Sequence, residues 1–348
     1  MSRAANIQAK DSGFNWLDAT PRREERQEAS DVLPRWHLYC GVTNLGSDAY
    51  QRARAFLDQG RALERAAVAH ALDDGPAWQV LDALAAFQNP DGGFGHGLEP
   101  DLLSGASSAV ATAMALRRLA EADAAPTHAV VEGAVAWAQR TIDPHERTWR
   151  IVPPDVEAAP HAPWWDQDGL EERFKSFVLN PKADLIAQLY ALGTSDDGWL
   201  DGLTDDVVRE VANRVAAGVP LEMHELIGTV ALVDAPHVPV LARRHLYDLL
   251  TPLLDAAVER DAEAWSSYVL RPLAVVPRPG SAFASHLAEL VDAELDYLVA
   301  EQADDGAWWP SWSWERDEGV WEQQRVAWAG VLTLNALLRL HAFGRLDS

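Results

Sequence analysis

From about residue 47 nearly to the end of the chain, apolar residues recur three and four positions apart, the spacing that gathers them on one face of an α-helix. No stretch keeps the two-residue alternation of a strand, so the pattern predicts an all-α fold. Helices are expected over roughly 49–72, 76–89, 107–121, 127–142, 182–193, 204–217, 221–233, 238–259, 283–302 and 321–342, with a shorter one over 263–270. Ser107 and Thr204 are expected N-caps, because a short side-chain oxygen can accept from the free N–H groups of a first turn. Asn180-Pro181 reads as a further helix start. PPDVEAAPHAPWW (153–165), VPRPG (276–280) and Gly turns break the pattern and read as loops within one body. Residues 1–46 are polar and irregular. They are expected to form a partly ordered N-terminal extension whose patch from Trp36 to Cys40 docks on the main domain, residues 47–348.

The helical pattern contains a repeat. Residues 81–94 read LDALAAFQNPDGGF and residues 295–308 read LDYLVAEQADDGAW. Leu, Asp, Leu, Ala, Gln, Asp and Gly match in register, with Phe94 opposite Trp308. LYALGTSDDGW (189–199) is a weaker copy, and 134–149 keeps Gln139 and Trp149 without the glycine. Such recurrence means one helical unit stacked several times. Gln can tie its helix end to neighbouring backbone, Gly permits the positive φ of a tight turn, and the aromatic packs on the next unit. Gly92 and Gly306 are both expected at positive φ.

This unit resembles the QW repeat of the squalene-cyclase and prenyltransferase-like α/α toroid family. The likeness is greatest to small uncharacterised bacterial members with a DGGFGxxLEPD stretch and an ending like GVLTLNALLRLHAFGR (330–345). The resemblance implies an (α/α)6-type toroid, with inner and outer helix rings around a central cavity. It does not bring the usual chemistry along. Squalene-type cyclases use a D-x-D-D acid, yet none of Asp73-Asp74, Asp196-Asp197, Asp205-Asp206 and Asp304-Asp305 has an Asp two positions before it. The metal-binding D-D-x-x-D is absent. The zinc of protein prenyltransferases needs a cysteine, and Cys40 lies in the extension.

Composition narrows the function classes. The chain has 348 residues, 48% of them hydrophobic, enough for a sizeable core. A net charge of −24 argues against nucleic acid and anionic lipid. A single cysteine fits a reducing compartment, and a cytoplasmic location is expected. No apolar run is long enough for a transmembrane segment.

The candidate chemistry lies after the first repeat, in His96-Gly97-Leu98-Glu99-Pro100-Asp101. Glu99 or Asp101 is a candidate general acid if desolvation raises its pKa, and His96 can hold or reload the proton. The structural alternative is that these carboxylates bond backbone N–H groups at a helix start. Fifteen tryptophans are the compositional outlier. One cluster is Trp308, Trp309, Trp312, Trp314 and Trp321 with Glu315 and Glu322; another is Trp164 and Trp165 in HAPWWDQDG. Trp164, Trp165, Trp308, Trp309, Trp312 and Trp321 are the expected substrate-binding residues, since indole faces stabilise cations and stack on sugars. D-Q-D-G lacks the remaining ligands of a calcium loop, so neither metal nor cofactor is expected. His224 and Glu225 lie on a predicted helix from which one can face the cavity.

The leading expectation is an enzyme that starts carbocation chemistry on a hydrophobic isoprenoid substrate with a carboxylic acid. Two alternatives stand beside it. One is a carbohydrate-active toroid of the glycosidase or epimerase type, using paired carboxylates. The other is a non-catalytic body that binds a ligand or a protein. Closed-ring topology adds one geometric expectation. Glu99 and Asp101 should face the central cavity rather than bulk solvent, with His96 close by, and Trp308 and Trp312 should approach from the last repeat.

Overall fold

The computed structural model describes residues 43–194 and 198–347. The expected extension with its Trp36–Cys40 patch, and the pair Asp196-Asp197, lie outside the described residues. Among the described residues the chain is all-α, with thirteen α-helices and only isolated bridges in place of strands. The helices are α1 (Ser47–Asp58), α2 (Ala62–Leu72), α3 (Ala77–Ala85), α4 (Ala109–Glu121) and α5 (Ala129–Thr141). They continue with α6 (Leu170–Arg173), α7 (Lys182–Ala191), α8 (Trp199–Ala217), α9 (Met223–Asp234) and α10 (Val240–Ala257). The last are α11 (Pro272–Val275), α12 (Ala288–Glu301) and α13 (Glu318–Ala342). None is long and apolar enough to cross a membrane.

Several boundaries differ from the periodic pattern. The stretch 49–72 is two helices, because the chain turns at Gln59 and Gly60, whose N–H groups bond back to Phe56 and Leu57. Apolar spacing runs through such a break when both helices face one core. Residues 263–270 hold only a short 3₁₀ turn, Ala262–Ser266. The cap of α4 is Ser108, which accepts from Ala111 N–H; Ser107 instead donates to Asp91 at 2.7 Å. Thr204 lies inside α8 and bonds the Leu200 carbonyl at 2.9 Å. A capping box of Glu222 and Glu225 starts α9.

The two repeats share one hydrogen-bond pattern. Gln88 Nε2 donates to Gly92 O at 3.0 Å, and Gln302 Nε2 to Gly306 O at 3.0 Å. Asp91 accepts from Gly93 N–H and Asp305 from Ala307 N–H, each at 3.0 Å. Phe94 N–H and Trp308 N–H each donate to a threonine hydroxyl, Thr112 and Thr333, at 3.1 Å. Gly92 and Gly306 have φ of +89° and +91°. Each turn also docks on a helix elsewhere: Gln88 reaches Val130 O on α5 at 2.8 Å, and Gln302 reaches Ala49 O on α1 at 2.9 Å. The last repeat therefore rests on the first helix. Backbone bonds from Leu45 to Arg345 and from Asp347 to Leu45 join the ends of the described body.

The helices fall into two sets. In one, α13 packs on α2, α4 on α7, and α7 on α9. Members of the other set, α1, α3, α5, α8 and α10, pack against their chain neighbours in the first. Within the first set a stripe of each helix escapes full burial. On α4 it is Val110, Met114 and Arg117, with every position between them buried. On α9 it is His224, Ile227 and Ala231; on α13 it is Trp328, Leu332, Asn335 and Arg339. Spacings of three and four keep each stripe on one helical face.

Candidate functional site

Three loops carry the candidate residues, and backbone bonds lace them together. Arg61, paired with the buried Glu64 at 2.6 Å, donates to the carbonyls of Gly97 and Leu98 and holds the first loop. Asp101 O accepts from Ala162 N–H at 2.9 Å, and Leu103 N–H donates to Pro160 O at 3.1 Å, which brings in the second loop and Trp165. Arg316, on the third loop, donates to His161 O at 2.8 Å and to Asp166 at 2.7 Å. That clamp fixes the segment bearing Trp312 and Trp314.

The loops converge on two buried carboxyls, Glu99 and Asp101, at 4% and 3% exposure. Trp314 Nε1 donates to Asp101 Oδ1 at 2.6 Å. The indole N–H groups of Trp328 and Trp312 also face Asp101 closely enough to favour its anion, but neither completes a hydrogen bond. Trp165 Nε1 stands in the same relation to Glu99, whose Oε2 has no partner. Burial pushes the Asp101 pKa up to about 6, against the indoles, which pull it down. Burial, and then the charge of Asp101, push Glu99 well above the ordinary carboxylate range. Burial thus favours the protonated form of both carboxyls.

Near this pair lies a hydrogen-bonded chain. Glu222 Oε1 is 2.8 Å from His224 Nδ1, and Tyr268 Oη is 3.0 Å from His224 Nε2. Tyr268 meets Trp312 edge-on at 5.7 Å, and Trp312 meets Trp328 edge-on at 5.2 Å. Tyr268 is 53% exposed, yet burial is the main cause that raises its phenol pKa, with Glu222, Asp101 and Glu99 adding to it. The His224 side chain keeps 44% of its surface, yet burial is the largest influence on its pKa; Glu222 and Glu225 outweigh it and raise the value.

The remaining sequence candidates are dispersed. His96 is exposed at φ +57°, with Nε2 2.8 Å from Asn89 Oδ1, and does not join the carboxyl pair. Trp308 is a core residue whose Nε1 bonds Leu298 O at 2.9 Å, as Trp149 bonds Ala138 O at 2.9 Å. Trp309 faces outward, under Arg325 at 4.4 Å and bonded to Asp305. Trp321 packs behind Trp314 at 5.8 Å, and Trp164 borders the same apolar cluster. Trp165 stacks on Phe174 at 5.5 Å. Among the described residues, Glu157, His161 and Asp166 offer ligand atoms within 4.8 Å of one another, the one grouping able to hold a metal. Arg316 already pairs with both Asp166 oxygens, so the grouping acts here as a salt-bridged staple between loops.

Trp328, Tyr268 and Glu222 are the site residues that sequence reasoning missed. Trp328 lies seven residues after Trp321, a spacing that marks a shared helix face. Tyr268 lies in an irregular segment that carries no periodic signal. No protein-family model, curated protein or solved structure matches the chain, so what the site can do must be read from its own geometry.

Proposed function

We propose that the chain is a terpenoid-cyclase-like enzyme, which starts carbocation chemistry on a hydrophobic isoprenoid substrate within an (α/α)6-type toroid. The observation that carries this reading is a buried carboxyl pair, Glu99 and Asp101, set among four indoles, where burial raises both pKa values. Asp101 is the donor. Its proton goes to an alkene carbon, the π electrons form the new C–H bond, and a cation is left on the neighbouring carbon. The Asp101 carboxylate is stabilised by Trp314 N–H and faces two further indole N–H groups, which makes the protonated form a stronger acid. Glu99 is buried beside Asp101, whose charge favours the protonated form of Glu99. Trp312, Trp328 and Tyr268 supply the aromatic surface that a cation requires. The Tyr268–His224–Glu222 chain offers a route for the proton lost when the cation collapses. The closure of the last repeat on α1 supports the toroid.

The test is turnover in D₂O with a panel of linear isoprenoids, read as deuterium built into a product. Asp101→Asn and Glu99→Gln keep shape and remove the transferable proton. Loss of incorporation with the fold retained supports the role; unchanged turnover in both variants ends it.

A carbohydrate-active reading has one observation in its favour. The N–H groups of Trp165, Trp312 and Trp328 and the Oε2 of Glu99 are buried without partners, and sugar hydroxyls would satisfy them all. Saturation-transfer NMR with monosaccharides and disaccharides separates this reading from the first.

A further inference from the structure

The stripe on α13 joins two chemically different regions. Trp328 and Arg339 are eleven residues apart (339 − 328), about three helical turns, so both lie on one face separated by roughly 16 Å. Asn335 lies on the same face, one turn before Arg339. Arg118 Nη2 donates to Asn335 Oδ1 at 2.6 Å, which occupies the amide oxygen and leaves the Asn335 amide nitrogen as a donor. Arg339 forms no hydrogen bond or ion pair with any other described side chain. The carboxylate acting on it is Glu294, already committed to Arg271 Nε at 2.7 Å and to Leu273 N–H. Arg117 is paired with Asp184 and Arg118 with Glu121, so neither nearby acid is free.

A desolvated guanidinium without a counter-charge is costly, and the cost is greatest when other cations stand near it. Burial lowers the Arg339 pKa, and Arg271, Arg117 and Arg118 lower it further. Arg339 lies on the stripe that escapes full burial, so an arginine that the body leaves unpaired is open to an anion from outside.

We propose that Arg339 and Asn335 form an anion-binding site on this face of α13, and that the ligand carries a phosphate or carboxylate roughly 16 Å from the group that meets Trp328. The identity of the stretch between the two ends rests on the isoprenoid reading above. The anion site itself does not. The substrate class is thus an amphipathic acid or phosphate ester whose anionic group is retained through the reaction.

Calorimetric titration of the full chain with inorganic diphosphate, farnesyl diphosphate, farnesoic acid and farnesol tests the assignment. Wild type should bind the anionic isoprenoids at least about tenfold more tightly than farnesol. Arg339→Gln should abolish that preference and leave farnesol unchanged, while Arg339→Lys retains part of it. If Arg339→Gln fails to fold by circular dichroism, Asn335→Leu carries the comparison. The phosphate and carboxylate arms identify which anion is preferred. Diphosphate binding that depends on Arg339, without binding of any isoprenoid, upholds the anion site and removes the isoprenoid reading. Farnesol bound as tightly as its anionic relatives, a preference that survives Arg339→Gln, or no binding by any probe overturns the inference.

Discussion

Trp314 and Asp101, 213 residues apart in the chain, are joined by a 2.6 Å hydrogen bond from indole nitrogen to carboxylate oxygen. The bond links the loop after the first repeat to the loop after the last, and it favours the anion of a carboxyl that burial otherwise protonates. Trp314→Phe keeps most of the buried ring and deletes the donor. The Asp101 pKa should rise further above about 6, followed by carbon NMR of the carboxyl. Stability above that pH should fall by about 2 kcal/mol, the usual worth of a hydrogen bond to a charged group.

Asp101 also sets a pH dependence of stability. Its pKa is about 6 in the folded chain against 3.8 for the ordinary group. The folded state therefore binds more protons between these values, and stability falls as pH rises from about 4 to 6. Above that window the cost is constant at about 3 kcal/mol. Asp101→Asn should recover a large part of it at pH 8 and little at pH 4, measured by urea unfolding. A variant less stable than wild type at pH 8 would show that the indole donors outweigh the burial cost.

The two repeat glycines should be intolerant of a side chain. A Cβ at Gly92 would strike the backbone of Gly133, and one at Gly306 the backbone of Arg52, both at positive φ. Alanine at either should cost about 3 kcal/mol or more, combining backbone strain with steric overlap. Gly218, at φ +67° with nothing near its Cβ position, is the control and should cost about 1 kcal/mol. Equal melting temperatures for all three variants would remove the docking role of the turns.

His224 owes its raised pKa to Glu222 and Glu225, which overcome the lowering by burial. Glu222→Gln removes the closer charge, so the His224 pKa should drop, read from its imidazole proton shifts. In wild type the group stabilises the fold below its unfolded pKa, and that contribution is lost as pH rises through the folded one. The variant should lack this loss.

The internal repeat was visible as sequence because its geometry is local. Gln302, Asp305 and Gly306 bond within one turn, so residue types at fixed spacing suffice to encode it. The all-α class was visible for the same reason, since helical periodicity is a property of neighbours three and four apart. The break at Gly60 was not, because helices facing one core keep the same apolar rhythm across a turn.

The carboxyl pair could be named from its place beside the glycine turn, but its surroundings could not. His96 is only three residues from Glu99, yet its positive φ turns it toward Asn89 and solvent. Trp308 looked like a wall residue and is core, because the repeat buries an aromatic ring at that position, Phe94 in one copy and Trp308 in the other. Which indoles face Asp101, and that Tyr268 and His224 stand across from them, depends on loop clamps such as Arg316 to His161 O, made between segments 155 residues apart. Sequence spacing fixes which side chains share a helix face or a turn. Only the folded chain decides which distant faces meet, and burial at that meeting raises the pKa of two ordinary acids.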